Sequence, residues 1–288
     1  MHSNAQRRST IHARLRTIAG VTLGAVLAIG PAVTFTATAD AAEACPAVSF
    51  IGVRGSWEDA GSGTSASGSS YQSGGFGHQV SAIIEDLRLV HPDLPMNTYG
   101  IKYPASITPA FEDASYLSSK DAGAKALLAE MNYQAAACPA TNIWLSGHSQ
   151  GADVIGQVLS TPTSNQLSTR AQQVLNGVIL LGDPSYRTTE RINSEMNTGK
   201  GAGLTARGRT TGSMDGWTGD SFTYGAIPLV RSYCYTDDLI CQVGSTVDTG
   251  PHNSYNQDEA LLRDAESFLW GFILSPQRLV NKQTLAQR

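Results

Sequence analysis

Positive charge is scarce in this sequence. The 288 residues hold 20 Lys and Arg against 24 Asp and Glu. Four of the arginines, Arg7, Arg8, Arg14 and Arg16, crowd the N-terminus. Without residues 1–41, which also contain Asp40, 16 basic residues face 23 acidic ones, a net charge of −7. That balance argues against a nucleic-acid partner and against an anionic membrane surface. The four cysteines form no Cys-x-x-Cys pair and have no clustered histidines beside them, so they do not read as a zinc site. Internal repeats and interdomain linkers are missing too. With 41% hydrophobic and 15% charged residues, the composition is that of a globular chain with a sizeable core, not a disordered one.

The apolar stretch Ile18–Phe35 follows the arginines and gives way to small residues. This is the pattern of an export signal over residues 1–41, with Ala37-Thr38-Ala39 and Ala39-Asp40-Ala41 as possible cleavage sites. The Gly/Ala content and Pro31 weigh against a retained anchor. The expected product is a secreted protein with no stable membrane insertion, residues 42–288 forming a single domain. An even number of cysteines in an exported chain favours two disulfides among Cys45, Cys138, Cys234 and Cys241. Three pairings exist on paper; closing the short loop Cys234–Cys241 leaves Cys45 with Cys138.

Apolar runs with the look of buried strands recur at Ala47–Val53, Met96–Tyr103, Asn142–Ser146, Val174–Leu181 and Ile227–Tyr235. Helical spacing lies between and after them. Val80, Ile83, Ile84, Leu87 and Val90 share one face, as do Leu117, Ala124, Leu127, Leu128 and Met131. Ala260, Leu261, Ala265, Phe268, Leu269, Phe272 and Ile273 form a third. Strand and helix patterns in alternation imply βαβ units, hence an α/β fold with a central, mainly parallel sheet of about five strands covered on both faces. Two stretches break the rhythm. Gly61–Gly77 is dense in Gly and Ser, and Asn193–Gly225 is a long Gly/Thr-rich connection; each reads as a surface loop or as the border of a cleft.

Gly147-His148-Ser149-Gln150-Gly151 fits G-x-S-x-G, a sharp strand-to-helix turn that exposes a serine nucleophile. The pattern alone is weak, but its surroundings fit: a strand-like run precedes it, and Val154, Ile155, Val158 and Leu159 continue as an amphipathic helix. The N-terminus of that helix would aim N–H groups at a developing oxyanion. Serine needs a base and the base needs an orienting carboxylate. His2 and His12 leave with the signal, His78 and His91 belong to the first helical segment, and His148 is expected to point away across the turn. His252, after the last strand, is left as the base. Asp183, Asp237 and Asp238 are the candidate acids; a disulfide-closed loop would hold a carboxylate rigidly, which suits an orienting group, and composition does not choose between the neighbours Asp237 and Asp238.

On these motifs the chain resembles the cutinase-like serine esterases, a family that includes cutinases and acetylxylan esterases. The similarity runs from about Cys45 to the last helix. Arg54-Gly55-Ser56-Trp57-Glu58 is similar to R-G-[ST]-x-E, Ser149 sits in G-x-S-Q-G, Asp183 in G-D-P, His252 in H-x-x-Y, and Cys234–Cys241 in C-x-x-x-D-x-x-C. The resemblance implies a three-layer α/β-hydrolase fold and a triad of Ser149, His252 and Asp238. It also implies an oxyanion hole from the N–H groups of Gln150 and Ser56, and the pairs Cys45–Cys138 and Cys234–Cys241. Glu58 becomes a residue that holds its loop, and Asp183 a support beside the elbow. The implied reaction is hydrolysis of carboxylic esters, from cutin-like polyester or lipid to acylated polysaccharide, with acyl transfer as an alternative and with no metal or organic cofactor.

Overall fold

A computed structural model of the protein describes residues 45–60, 62–64, 70–72, 75–108, 114–160, 166–205, 214–221, 225–243 and 248–274. The chain divides into Met1–Ala42 and Glu43–Arg288. The stretch expected to be an export signal therefore lies outside the described residues, as do parts of the two Gly-rich segments.

The strands are β1 (Val48–Val53), β2 (Ser62–Thr64), β3 (Ser70–Gln72), β4 (Met96–Gly100), β5 (Asn142–His148), β6 (Leu175–Leu181), β7 (Thr218–Ser221), β8 (Gly225–Pro228) and β9 (Val230–Tyr233). The helices are α1 (Gly77–Val90), α2 (Ala114–Ala137), α3 (Gln150–Ser160), α4 (Thr169–Val174) and α5 (Glu259–Trp270). A five-stranded sheet runs in the order β4-β1-β5-β6-β9, and every pairing within it is parallel.

Continuous apolar runs suit this sheet because both faces are covered. Ile51 and Val53 of β1, Leu145 of β5 and Val178 and Leu180 of β6 pack with α2, α3 and α4. Their neighbours Val48, Phe50, Trp144, Ile179 and Leu181 pack with α1 and α5. Alternate residues thus serve opposite layers, and each fully buried Leu or Ile contributes about 1.5–3 kcal/mol. The result is a three-layer fold.

The long apolar stretch Ile227–Tyr235 is divided rather than continuous. Its first residues belong to β8, which pairs antiparallel with β7, and only Val230–Tyr233 joins the main sheet. Gly61–Gly77 contains the small antiparallel ribbon of β2 and β3. The first part of the 193–225 connection is a strap fastened to the edge of β9 and to the segment that follows it. Ser194 N–H reaches Ser232 O at 2.9 Å, Leu204 N–H reaches Ile240 O at 3.0 Å, and Val243 N–H reaches Ala202 O at 2.9 Å. Both disulfides, Cys45–Cys138 and Cys234–Cys241, are formed.

Candidate active site

The C-terminal ends of β1, β5, β6 and β9 open into the segments that carry the candidate residues: 54–58, Ser149, 182–183 and 234–241. Parallel sheets place ligands at this end. Ser149 lies between β5 and α3 with φ +53°, a left-handed conformation that costs a non-glycine residue about 1 kcal/mol or more. The turn is locked from outside. Ser149 N–H donates to Leu181 O at 2.9 Å. A Cβ on Gly147 would lie 2.6 Å from Gly151 C, and one on Gly151 would lie 2.7 Å from Arg54 O. Both elbow glycines are thus required by packing, since the turn presses on itself and on the end of β1.

Cys234–Cys241 closes a loop around a carboxylate that is 0% exposed, that of Asp238. Its neighbour Asp237 is exposed. The Asp238 oxygens lie 2.9 and 2.8 Å from His252 Nδ1. Tyr255 OH donates to Oδ2 at 2.6 Å, and Ile240 N–H donates to Oδ1 at 2.8 Å. Burial by itself would raise the Asp238 carboxyl, but the bonds from His252, Tyr255 and Ile240 bring it below the usual carboxylate value. Burial lowers His252, and the nearby His148 adds to that, while the bond to Asp238 opposes it; the net direction is downward. An imidazole lowered in this way is neutral at pH 7, the state in which it can accept a proton.

The elbow and the imidazole meet at Leu181 and Gly182. Leu181 O takes the Ser149 N–H. Gly182, at φ +57°, leaves no room for a side chain: a Cβ there would lie 2.8 Å from His252 Nδ1 and 2.9 Å from Asp238 Oδ2. From the other side, His148, next to Ser149, bonds through Nε2 to His252 O at 2.8 Å.

Gln150 is the first residue of α3, so its N–H belongs to the set a helix cannot pair internally. Its side chain is tied to Ser119 Oγ at 3.0 Å and to Ser106 O at 2.9 Å. Ser56 Oγ is shielded from solvent and has no hydrogen-bond partner among the described residues. A buried, unsatisfied hydroxyl costs about 1–3 kcal/mol unless a partner arrives. The Ser56 loop is clamped by buried Arg54, which donates to Glu58 O at 2.9 Å and to Tyr103 O at 2.7 Å. Trp57 and Ala105, both left-handed at φ 61° and 51°, join through Trp57 N–H to Ala105 O at 3.1 Å. Asp183 is buried and receives Ser185 N–H at 2.8 Å.

The structure corrects the expectation for His148. Its ring does not point away across the turn but lies tilted against that of His252, with centroids 4.7 Å apart, because the space behind the elbow is walled by the His252 loop and Glu58. Three further contributors were not singled out from sequence. Tyr255 supports Asp238. Gln79 of α1 grips the His252 loop through Asn253 O at 2.9 Å and Asn256 N–H at 2.8 Å. Gly182 yields its side-chain space to the imidazole. Of these, Tyr255, three residues after His252 in H-x-x-Y, and Gly182, the glycine of G-D-P, carried a sequence signal, and Gln79 carried none. Among the described residues no cluster of His, Cys, Asp or Glu is arranged to hold a metal ion, and no helix is long and apolar enough to cross a membrane.

The family profile described as Cutinase matches residues 44–271. Acetylxylan esterase 2 of Talaromyces purpureogenus is 26% identical over 224 residues, 74% of this chain and 82% of that protein. The cutinase of Kineococcus radiotolerans is 29% identical over 163 residues, 57% of this chain and 45% of that protein. The solved catalytic core of acetyl xylan esterase from Trichoderma reesei superposes with a TM-score of 0.59 at 24% identity, covering 79% of this chain and 99% of that one, a likeness of fold. The profile spans the whole sheet and every segment gathered at its C-terminal edge, and on that match the chain belongs to the cutinase family of carboxylic ester hydrolases.

Proposed function

We propose that the protein is an exported serine esterase that works through an acyl-enzyme. Ser149 is the nucleophile and His252 Nε2 takes its proton, while Asp238 holds the Nδ1–H tautomer. The Ser149 oxygen bonds to the ester carbonyl carbon, and the resulting oxyanion is held by the N–H groups of Gln150 and Ser56, with the Ser56 hydroxyl as a third donor. His252 returns the proton to the leaving alkoxide. Water, deprotonated by His252, then releases the carboxylic acid and restores Ser149.

The observation that carries this reading is the crossing at Leu181-Gly182, where the strained serine turn and the buried His252–Asp238 pair share two consecutive residues. The unsatisfied Ser56 hydroxyl supports the oxyanion assignment. Export is supported by the N-terminal pattern of residues 1–41 and by two disulfides. The substrate class is a carboxylic ester of a polymer or lipid. The 82% coverage of the acetylxylan esterase favours a second reading, the acetyl ester of a polysaccharide.

The test is hydrolysis of a chromogenic ester series from acetyl to long acyl chains, with Ser149→Ala as the blank. Turnover lost in that variant supports the esterase, and an optimum at acetyl supports the second reading. Turnover that survives Ser149→Ala would reject the mechanism. An alcohol acceptor in the same assay separates hydrolysis from acyl transfer.

A further inference from the structure

His148 occupies the variable position inside the elbow and is 2% exposed, its ring lying between two oxygen acceptors. Nε2 faces His252 O at 2.8 Å, and a ring nitrogen opposite a carbonyl oxygen bonds only as a donor, so Nε2 carries a proton. Nδ1 faces Glu58 Oε2 at 3.4 Å, an electrostatic contact longer than an ordinary hydrogen bond. The backbone closes on this pair: a Cβ on Gly55 would lie 2.7 Å from His148 Nδ1 and 3.0 Å from Glu58 Oε2.

Glu58 is itself tied on two sides. Gly55 N–H donates to Oε2 at 2.5 Å and His78 N–H to Oε1 at 3.0 Å. One route therefore runs from the loop of Ser56, through half-buried Glu58 and buried His148, to the backbone of His252. We propose that His148 and Glu58 are positioning residues: His148 Nε2–H fixes the His252 carbonyl, and the Glu58 carboxylate fixes the His148 ring, so that the oxyanion loop and the base are held in one register. The inference rests on the reading of Ser149 and His252 as nucleophile and base.

Gln79 fastens the same loop, but at Asn253 and Asn256, so the loop can remain folded without His148 while residue 252 loses its own tether. The charged or titratable groups around the two histidines are Glu58, which in turn faces Arg54, with Asp238 and Tyr255, whose ring is 6.1 Å from that of His148. His148 lowers His252 and Glu58 raises it, which gives the arrangement a signature that simple packing lacks.

The test compares the full secreted protein with His148→Phe, His148→Gln, Glu58→Gln and the Glu58→Gln/His148→Phe double variant, using ester kinetics across pH and phosphonate labelling of Ser149. His148→Phe keeps a ring but no donor, and kcat is expected to fall about 100-fold with KM within about threefold. His148→Gln restores an N–H near the Nε2 position and should recover kcat to within about tenfold of wild type. In both, the acid limb of kcat/KM should move to higher pH. The double variant should fall no further than His148→Phe, since the two residues act along one route.

A wild-type kcat and an unmoved acid limb in folded His148→Phe would overturn the proposal. So would a His148→Gln loss as deep as that of His148→Phe, or multiplying losses in the double variant. Should His148→Phe fail to fold, wild-type kcat and acid limb in both His148→Gln and Glu58→Gln would overturn it equally. Failure of wild-type Ser149 to label would instead reject the serine-esterase reading on which the proposal stands.

Discussion

Replacing Tyr255 by Phe removes one oxygen from the least exposed part of the site. That hydroxyl donates to Asp238 Oδ2 at 2.6 Å and accepts Tyr235 N–H at 3.2 Å. The ring stack on Tyr235, with centroids 4.3 Å apart, is retained, so the loss is polar and not one of packing. A hydrogen bond to a buried carboxylate contributes about 1.5–3 kcal/mol, and the Tyr235 N–H loses its acceptor as well. The expected destabilisation is about 2–3 kcal/mol, a fall in Tm of roughly 5–10 °C for a domain of this size.

The pH dependence has a definite sign. Burial raises the Asp238 carboxyl, but bonds from His252, Tyr255 and Ile240 hold it below the ordinary 3.8. A depressed carboxyl contributes stability that is present above its unfolded value and is lost as pH falls through the native one. Without the Tyr255 hydroxyl the native value rises, so the deficit of the variant is full at neutral pH and shrinks in acid. His252 keeps both contacts to Asp238, and kcat should fall at most about tenfold, against roughly ten-thousandfold for Asp238→Asn. Thermal unfolding of the two proteins between pH 3 and pH 7, with ester turnover at neutral pH, measures both effects. An unchanged Tm at pH 7, or a kcat loss equal to that of Asp238→Asn, would show that Tyr255 does not hold the carboxylate as described.

Further expectations concern the same apparatus. Gly182→Ala places a methyl 2.8 Å from His252 Nδ1 on a backbone at φ +57°, so kcat should drop about 100-fold in ester assays while the protein remains folded. Breaking Cys234–Cys241, which spans 7 residues, should cost roughly 2–3 kcal/mol and loosen Asp238. Breaking Cys45–Cys138, which spans 93, should cost roughly 4–5 kcal/mol and spare kcat in the folded fraction. Denaturant melts paired with turnover separate the two bridges. Since burial lowers His252, kcat/KM should rise with pH through an apparent value below 6.5 and be level at neutral pH.

The five main strands were legible because a sheet covered on both faces writes itself as continuous apolar runs, and the elbow was legible because a strained turn between two packed glycines needs particular residues. Pairing was not. The Ile227–Tyr235 run gives no sign that Leu229 divides a strand of the main sheet from one of a side ribbon, since periodicity does not encode the partner. The six-residue α4 escaped for its length, although Ser168 caps it by accepting Ala171 N–H at 3.1 Å. The direction of the His148 ring depends on Glu58 and His252, 90 and 104 residues away in sequence, and no local pattern reports contacts of that kind. Asp238 differs from Asp237 in sequence by one position; in the fold the one is enclosed with His252 and the other faces solvent.

The most direct test of the proposed chemistry is mass spectrometry of the protein after treatment with an alkyl phosphonate ester, alongside residual ester turnover. One phosphonyl group on the peptide containing Ser149, with turnover lost in proportion, is the expected result. Full ester hydrolysis by a protein whose Ser149 stays unlabelled would contradict the assignment of the nucleophile.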